Sequence, residues 1–455
     1  MSNTTKTAII VADIVLFCIL LYTLPFESKV TQGLSILIFI AVLWLTEALH
    51  TTITAILIPI LAVATGLMNT TAALHGFSDP TIFLFFGGFA LAAAMHYQEL
   101  DKIIAQRILL LAKGNFALAV IYMFSTTAFL SMWMSNTATA AMMLPLAIGM
   151  LSQIDFKSNP NTFVFVLLGI AYSASIGGIG TLVGTPPNAI VAANLKITFA
   201  EWLKYGIPIV AIFMPLMIAT LYFCFKPNLK HTITINDKDK IAMTREKWLT
   251  LAIFAFIAVC WIFSAQLNPF FSNLLGLPKQ MAQFDSVIAI FAAILVCAFR
   301  VVSWKKVQDN TDWGVLMLFG GGITLSVILK DSGASKVMAD AVISAVQGGH
   351  LFLIGLAVSI FIVLLTEFTS NTASAALLVP LFISIAESLG APPLGLALII
   401  GIGASCAFML PVATPPNAIV FGTGYIKQSQ MIKAGLWLNA FCSVIIAVMA
   451  YVFWL

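Results

Sequence analysis

Hydrophobic positions along this chain fall in long runs separated by short polar breaks. Eleven runs have the length of a helix crossing a bilayer, about 20 residues. They begin near Thr7, Val30, Thr52, Pro80, Asn161, Gly206, Trp248, Asp285, Trp313, Pro393 and Lys433. The short alternating strands of a membrane barrel are not the pattern here. Two further stretches, 116–151 and 351–389, carry three polar residues near the middle of an apolar run. Such a run is a poor single span and a reasonable re-entrant hairpin of two half-helices with a polar tip. Irregular backbone at that depth survives only when buried in protein or lining water. The first run, Thr7 to Phe26, holds Asp13, lacks a clear small-residue cleavage site and leads into further spans, so a retained helix is expected and not a signal peptide.

The two polar centres are copies of one another. Ser135-Asn136-Thr137-Ala138-Thr139-Ala140-Ala141, closed by Pro145, recurs as Ser370-Asn371-Thr372-Ala373-Ser374-Ala375-Ala376, closed by Pro380. A second element, Gly184-Thr185-Pro186-Pro187-Asn188-Ala189-Ile190-Val191, recurs as Ala413-Thr414-Pro415-Pro416-Asn417-Ala418-Ile419-Val420. The offsets are 235 and 229 residues, and a weaker match, Phe85-Phe86-Gly87-Gly88 with Leu318-Phe319-Gly320-Gly321, lies at 233. Motifs repeating in one order at nearly one offset mean internal duplication. The reading is a first helix over 1–29, a first repeat over 30–225, a polar linker over 226–247 and a second repeat over 248–455. The first repeat holds a hairpin about 116–151 and a broken helix about 161–195; the second holds a hairpin about 351–389 and a broken helix about 393–425. Each repeat has five spans besides its hairpin. Five is odd, so the repeats run in opposite directions, the pattern of secondary transporters.

Composition narrows the class. Hydrophobic residues make up 61% and charged residues 9%, against about a quarter charged in a soluble domain. The expectation is an all-α polytopic membrane protein. The net charge of +4 gives no reason to expect nucleic acid, because the basic residues sit in short loops. The six cysteines are dispersed without a CxxC or Cys/His cluster, so they read as small apolar packing residues. With the N-terminus in the cytoplasm, inside loops hold sixteen of the 22 Lys and Arg residues and outside loops hold six. The positive-inside tendency favours that orientation, with the C-terminus outside and 226–247 as a solvated cytoplasmic connector.

The motifs carry the chemistry. Tandem prolines at Pro186-Pro187 and Pro415-Pro416 stop a helix and suit the first turn of a new one. Each span is then split, one half ending near Gly184 or Ala413 with free carbonyls for a cation, the other starting with an N-terminus suited to an anion. Ser, Asn and Thr at the hairpin tips offer neutral oxygens to sodium and hydroxyl or amide donors to a carboxylate. Such residues often only cap or pack helices in membrane bundles. Two copies, each joined to a Thr-Pro-Pro-Asn, favour function. Neither motif pair contains Lys or Arg, and a buried dianion without counter-charge is very unfavourable, which is a physical reason to couple anion uptake to bound cations.

These paired motifs resemble the divalent anion–sodium symporters, which carry dicarboxylates, citrate or sulfate. The resemblance covers essentially the whole chain, including Trp44-Leu45-Thr46-Glu47-Ala48. It implies a homodimer in the bilayer, in a bacterial inner (plasma) membrane, with scaffold and transport domains and an elevator motion. It implies sodium at the first hairpin, on positions matching Ser131, Ser135, Asn136 and the Gly184 carbonyl. It implies a second sodium on positions matching Thr366, Thr369, Asn371 and the Ala413 carbonyl; at 369 a backbone carbonyl serves and the side chain is free to vary. Ser135, Asn136, Thr137, Ser370, Asn371 and Thr372 are then expected to hold the substrate carboxylates, with Thr185 and Thr414 contributing from the loops. No cofactor is expected, sodium being the coupling ion. Glu367, beside Thr366, is either a functional acid at the second cation site, a proton carrier included, or a residue at interfacial depth. Glu47, His50, Asp79 and His96 lie near span ends and are read as structural or interfacial.

The leading function is sodium-coupled import of a C4-type dicarboxylate such as succinate, malate or fumarate. A sodium-independent exchanger of the same fold, a citrate or sulfate symporter and a proton-coupled carrier using Glu367 are the alternatives. A passive channel calls for a continuous polar lining and has no use for broken helices in reversed repeats. A membrane-embedded enzyme calls for a nucleophile with a base, clustered metal ligands or a cofactor motif, and the sequence offers none.

Overall fold

The computed structural model describes residues 2–233, 242–345 and 350–455. Among the described residues the regular elements are helices, with one isolated bridge between Asn115 and Thr232. Among the described residues, eight helices are long and apolar enough to cross a membrane, or up to nine if a pair bent by 102°, Arg245–Ile262 and Ser264–Leu274, is one span. The hydrophobic runs give eleven. The difference lies in helix length. The runs beginning near Thr52, Asp285 and Pro393 fold into Thr51–Ala64, Phe284–Ala298 and Pro393–Gly403, of 14, 15 and 11 residues. Asn371–Ser388, expected as a hairpin arm, has 18 residues and meets the length by itself.

Both polar-centred stretches fold as helix, short loop, helix. The first is Phe116–Ser131 and Asn136–Leu151; the second is Leu351–Leu365 and Asn371–Ser388. Both Thr-Pro-Pro segments start a helix at the first proline, Pro186–Leu195 and Pro415–Phe421. The preceding helices end earlier than the motifs imply, at Gly178 and Gly403 and not near Gly184 and Ala413. Residues 179–184 and 404–413 are instead loops whose carbonyls are turned inward, as described below.

Pro160–Gly178 is the centre of the molecule, buried along almost its whole length. Two glycines at its end let the first hairpin close on it: a Cβ on Gly177 would strike the Ala128 backbone, and one on Gly178 would strike Asn136 Oδ1. The halves cross over. Pro186–Leu195 packs on Asn371–Ser388 and Pro393–Gly403, while Pro415–Phe421 packs on Pro160–Gly178 and Asn136–Leu151. Tyr172 seals the crossing, its hydroxyl donating to the Phe408 carbonyl at 2.5 Å. Outside this centre, Pro80–Tyr97 packs on Phe284–Ala298 and Thr51–Ala64 on Trp313–Ser332.

Of the expected linker 226–247, residues 234–241 lie outside the described residues. Its start is docked: the Phe116 amide donates to the His231 carbonyl at 3.3 Å, and the Asn228 amide to Thr162 Oγ1 at 3.0 Å. Its last residues already belong to the helix that opens at Arg245.

Candidate functional site

Four loops and the four helix starts that follow them converge on one cleft of about 810 Å³. Ser135, Asn136, Thr137, Thr185, Ser370, Asn371, Thr372 and Thr414 all line it. Gly184, Thr369, Ala413, Pro186, Pro415 and Pro416 line it too; Ser131, Thr366 and Pro187 sit behind this surface. The opposite wall is one face of Pro80–Tyr97, with Phe85, Phe89, Ala92, Ala93 and His96 in helical register. Glu47, His96, Asp309 and Asp312 also line the cleft, whereas His50 and Asp79 do not. The lining contains no Lys or Arg.

The local chemistry explains the tips. Each serine caps the helix it precedes: Ser135 Oγ accepts from the Ala138 amide at 3.2 Å, and Ser370 Oγ from the Ala373 amide at 3.4 Å. Capping and lining are thus combined in one residue. Behind the first tip, Ser131 Oγ lies 2.7 Å from both Asn136 Oδ1 and the Ala174 carbonyl oxygen. Behind the second, Thr366 Oγ1 lies 2.6 Å from Asn371 Oδ1 and 2.8 Å from the Ala404 carbonyl oxygen. Each set brings three oxygens together around a single hydroxyl proton, a donor set that suits a hard monovalent cation. The Thr369 hydroxyl is occupied elsewhere, 2.9 Å from the Leu365 carbonyl and 2.7 Å from Ser374 Oγ. Its side chain is therefore engaged within its own hairpin.

The fourth residue of each Thr-Pro-Pro-Asn builds the loop. Asn188 Nδ2 donates to the carbonyls of Gly178 and Thr181 at 2.9 and 2.7 Å. Asn417 Nδ2 donates to those of Ala407 and Leu410 at 3.1 and 3.0 Å. Both asparagines are fully buried. Their signal was present in the repeated motif, but the role needs the fold, because the partners are backbone atoms. Glu367 is fully buried in the protein, and it binds the 404–413 loop. Tyr172, which holds the same loop, and Asn439, which donates to Glu367 Oε1, carry no sequence signal.

The two copies differ in exposure. Trp133 stacks on Phe199 and meets Phe254 edge-on, with centroids 5.9 and 5.0 Å apart, and Val183 is 9% exposed against Gly88. The corresponding residues of the second copy, Phe368 and Val412, are 74% and 84% exposed and face the cleft.

Comparison with known proteins agrees with this architecture. The family described as "Sodium:sulfate symporter transmembrane region" matches residues 2–455. An uncharacterized transporter of Haemophilus influenzae is 66% identical over 98% of this chain and 97% of its own length. The sodium-dependent dicarboxylate transporter SdcS of Staphylococcus saprophyticus is 32% identical over 92% of this chain and 85% of its own. Among solved structures, the YdaH transporter of Alcanivorax borkumensis, described as having an unusual topology, aligns with a TM-score of 0.60 at 16% identity, covering 89% of this chain and 99% of that one. That likeness bears on the fold alone. The chain is a transporter, and it belongs to the sodium:sulfate symporter family, the divalent anion–sodium symporters.

Proposed function

We propose that this protein imports a C4-type dicarboxylate together with sodium, the carboxylates held between the two Ser-Asn-Thr tips. The observation that carries the reading is the cleft itself: eight neutral donors from two repeated motifs face one space with no Lys or Arg in its lining. A dianion there needs bound cations as counter-charge. Ser131, Ser135, Asn136 and the Gly184 carbonyl are assigned to one sodium, and Thr366, Asn371 and the Ala413 and Thr369 carbonyls to another. The similarity to a sodium-dependent dicarboxylate transporter supports a dicarboxylate over sulfate or citrate.

The structure is read as an inward-open state. Glu47, His96, Asp309 and Asp312 at the cleft mouth belong to segments that the loop charge places in the cytoplasm. The bare Phe368 and Val412 beside the packed Trp133 and Val183 support an elevator motion in reversed repeats, with the second pair packing when the site faces outward. A homodimer follows from the family resemblance. The reading is tested on purified protein by thermal unfolding with succinate, citrate or sulfate, in sodium and in choline. Stabilisation by succinate only in sodium is expected. Stabilisation by sulfate or citrate alone would move the substrate, and succinate binding unaffected by sodium would refute coupling.

A further inference from the structure

Glu367 does more than lie near the second tip. Its Oε1 accepts from the amides of Phe408 and Met409 at 2.7 and 2.8 Å and from Asn439 Nδ2 at 2.7 Å. Its Oε2 accepts from the Leu410 amide at 3.0 Å. Four N–H donors converge on the two oxygens of a group that has acceptors and no donor when ionised, so the surroundings suit the carboxylate anion. This argues against the proton-carrier alternative. Among the described residues no Lys, Arg or His ion-pairs with it. A buried anion with hydrogen bonds but no cation is only partly compensated.

The first copy is built otherwise. The position 235 residues before Glu367 is Met132. There the loop is pinned by the Thr181 hydroxyl, which donates to the Met132 carbonyl. Both loops share neutral asparagine bonds, and the second adds a carboxylate.

We propose that Glu367 is the positioning residue of the second cation site, fixing the 404–413 loop and supplying the negative charge that makes this site hold sodium more tightly than the first. The ligand oxygens assigned there, from Thr366, Thr369, Asn371 and Ala413, are all neutral, so the charge of a bound sodium is balanced by the carboxylate one residue along the chain from Thr366. Low local dielectric strengthens that attraction. The inference rests on the sodium-coupled reading.

The test is thermal unfolding of the full-length protein in detergent, titrated with sodium chloride at constant ionic strength set by choline chloride. Sodium bound to the folded state raises the midpoint with a half-saturating concentration that can be read directly. Glu367→Gln is expected to raise that concentration about tenfold or more. Asn439→Ala, which keeps the charge, is expected to lower the sodium-free midpoint and leave half-saturation near wild type. Glu367→Asp keeps the charge on a shorter stem, so it too should retain the sodium dependence, and it serves if Glu367→Gln does not fold. Wild-type half-saturation in Glu367→Gln, or a sodium dependence in Glu367→Asp lost in step with its midpoint, would reduce Glu367 to a structural brace. A wild-type protein indifferent to sodium would remove the coupled reading and this inference together; an unchanged variant beside a responsive wild type removes the inference alone.

Discussion

At the scale of single residues, the asparagines do most of the work, in two roles. Asn136 and Asn371 hold the oxygen sets behind the tips. Alanine at either position should abolish sodium-dependent succinate binding, a loss of at least about 2 kcal/mol, while the unfolding midpoint without ligands stays near wild type. Titration calorimetry in sodium checks it, and wild-type affinity in both variants would refute the site assignment. Asn188 and Asn417 hold the loops, and alanine there leaves buried carbonyls without partners, at a cost of about 1–3 kcal/mol per group. Their variants should unfold several degrees earlier even without sodium or substrate. The motif residues were legible because side-chain type, repetition and the tandem prolines together limit their chemistry. Glu367 was visible as an intramembrane acid, but its role was not, since three of its four partners are backbone amides about 40 residues away in sequence. Tyr172 and Asn439 were not legible at all: Tyr172 meets the Phe408 carbonyl only after the two halves cross, and Asn439 meets Glu367 from a helix 72 residues further along the chain.

At the scale of elements, the prolines and glycines decide where helices start and how closely they approach. Pro186 and Pro415 each begin a helix. Replacing either by alanine restores a backbone donor and removes the fixed φ, so the new helix should extend back into the loop. Substrate affinity is expected to fall about tenfold or more in both variants by the same calorimetry, and unchanged affinity in both would contradict the half-helix account. Gly178→Ala places a methyl against Asn136 Oδ1 and should weaken sodium binding at the first tip with little change at the second. The helix starts were readable from tandem prolines. The helix ends were not. Gly178 and Gly403 close their helices several residues before the motifs, because Asn188 and Asn417 draw the intervening carbonyls inward. Span lengths were blurred for a similar reason: apolar loops and apolar helices look alike in a hydrophobic run, so Thr51–Ala64 and Phe284–Ala298 read as full spans.

At the scale of the whole molecule, the account joins a two-faced cleft to a motion. The bare pair Phe368 and Val412 and the packed pair Trp133 and Val183 should exchange environments as the site moves. In a cysteine-free background, Val412→Cys should react with a membrane-impermeant thiol reagent from the cytoplasmic side, and Val183→Cys should not. Conditions that turn the site outward should reverse this, and equal labelling of both in every condition would contradict the elevator reading. The class of the protein was legible in composition, whereas the contrast between the two copies needed the exposure of particular side chains. The central claim remains that cations balance a dianion held between two neutral tips. Its most direct test is labelled succinate uptake into proteoliposomes, under an inward sodium gradient and with choline in its place. The account predicts uptake that needs sodium. Equal uptake in choline, driven by dicarboxylate preloaded inside the vesicles, would contradict it and make the protein an exchanger.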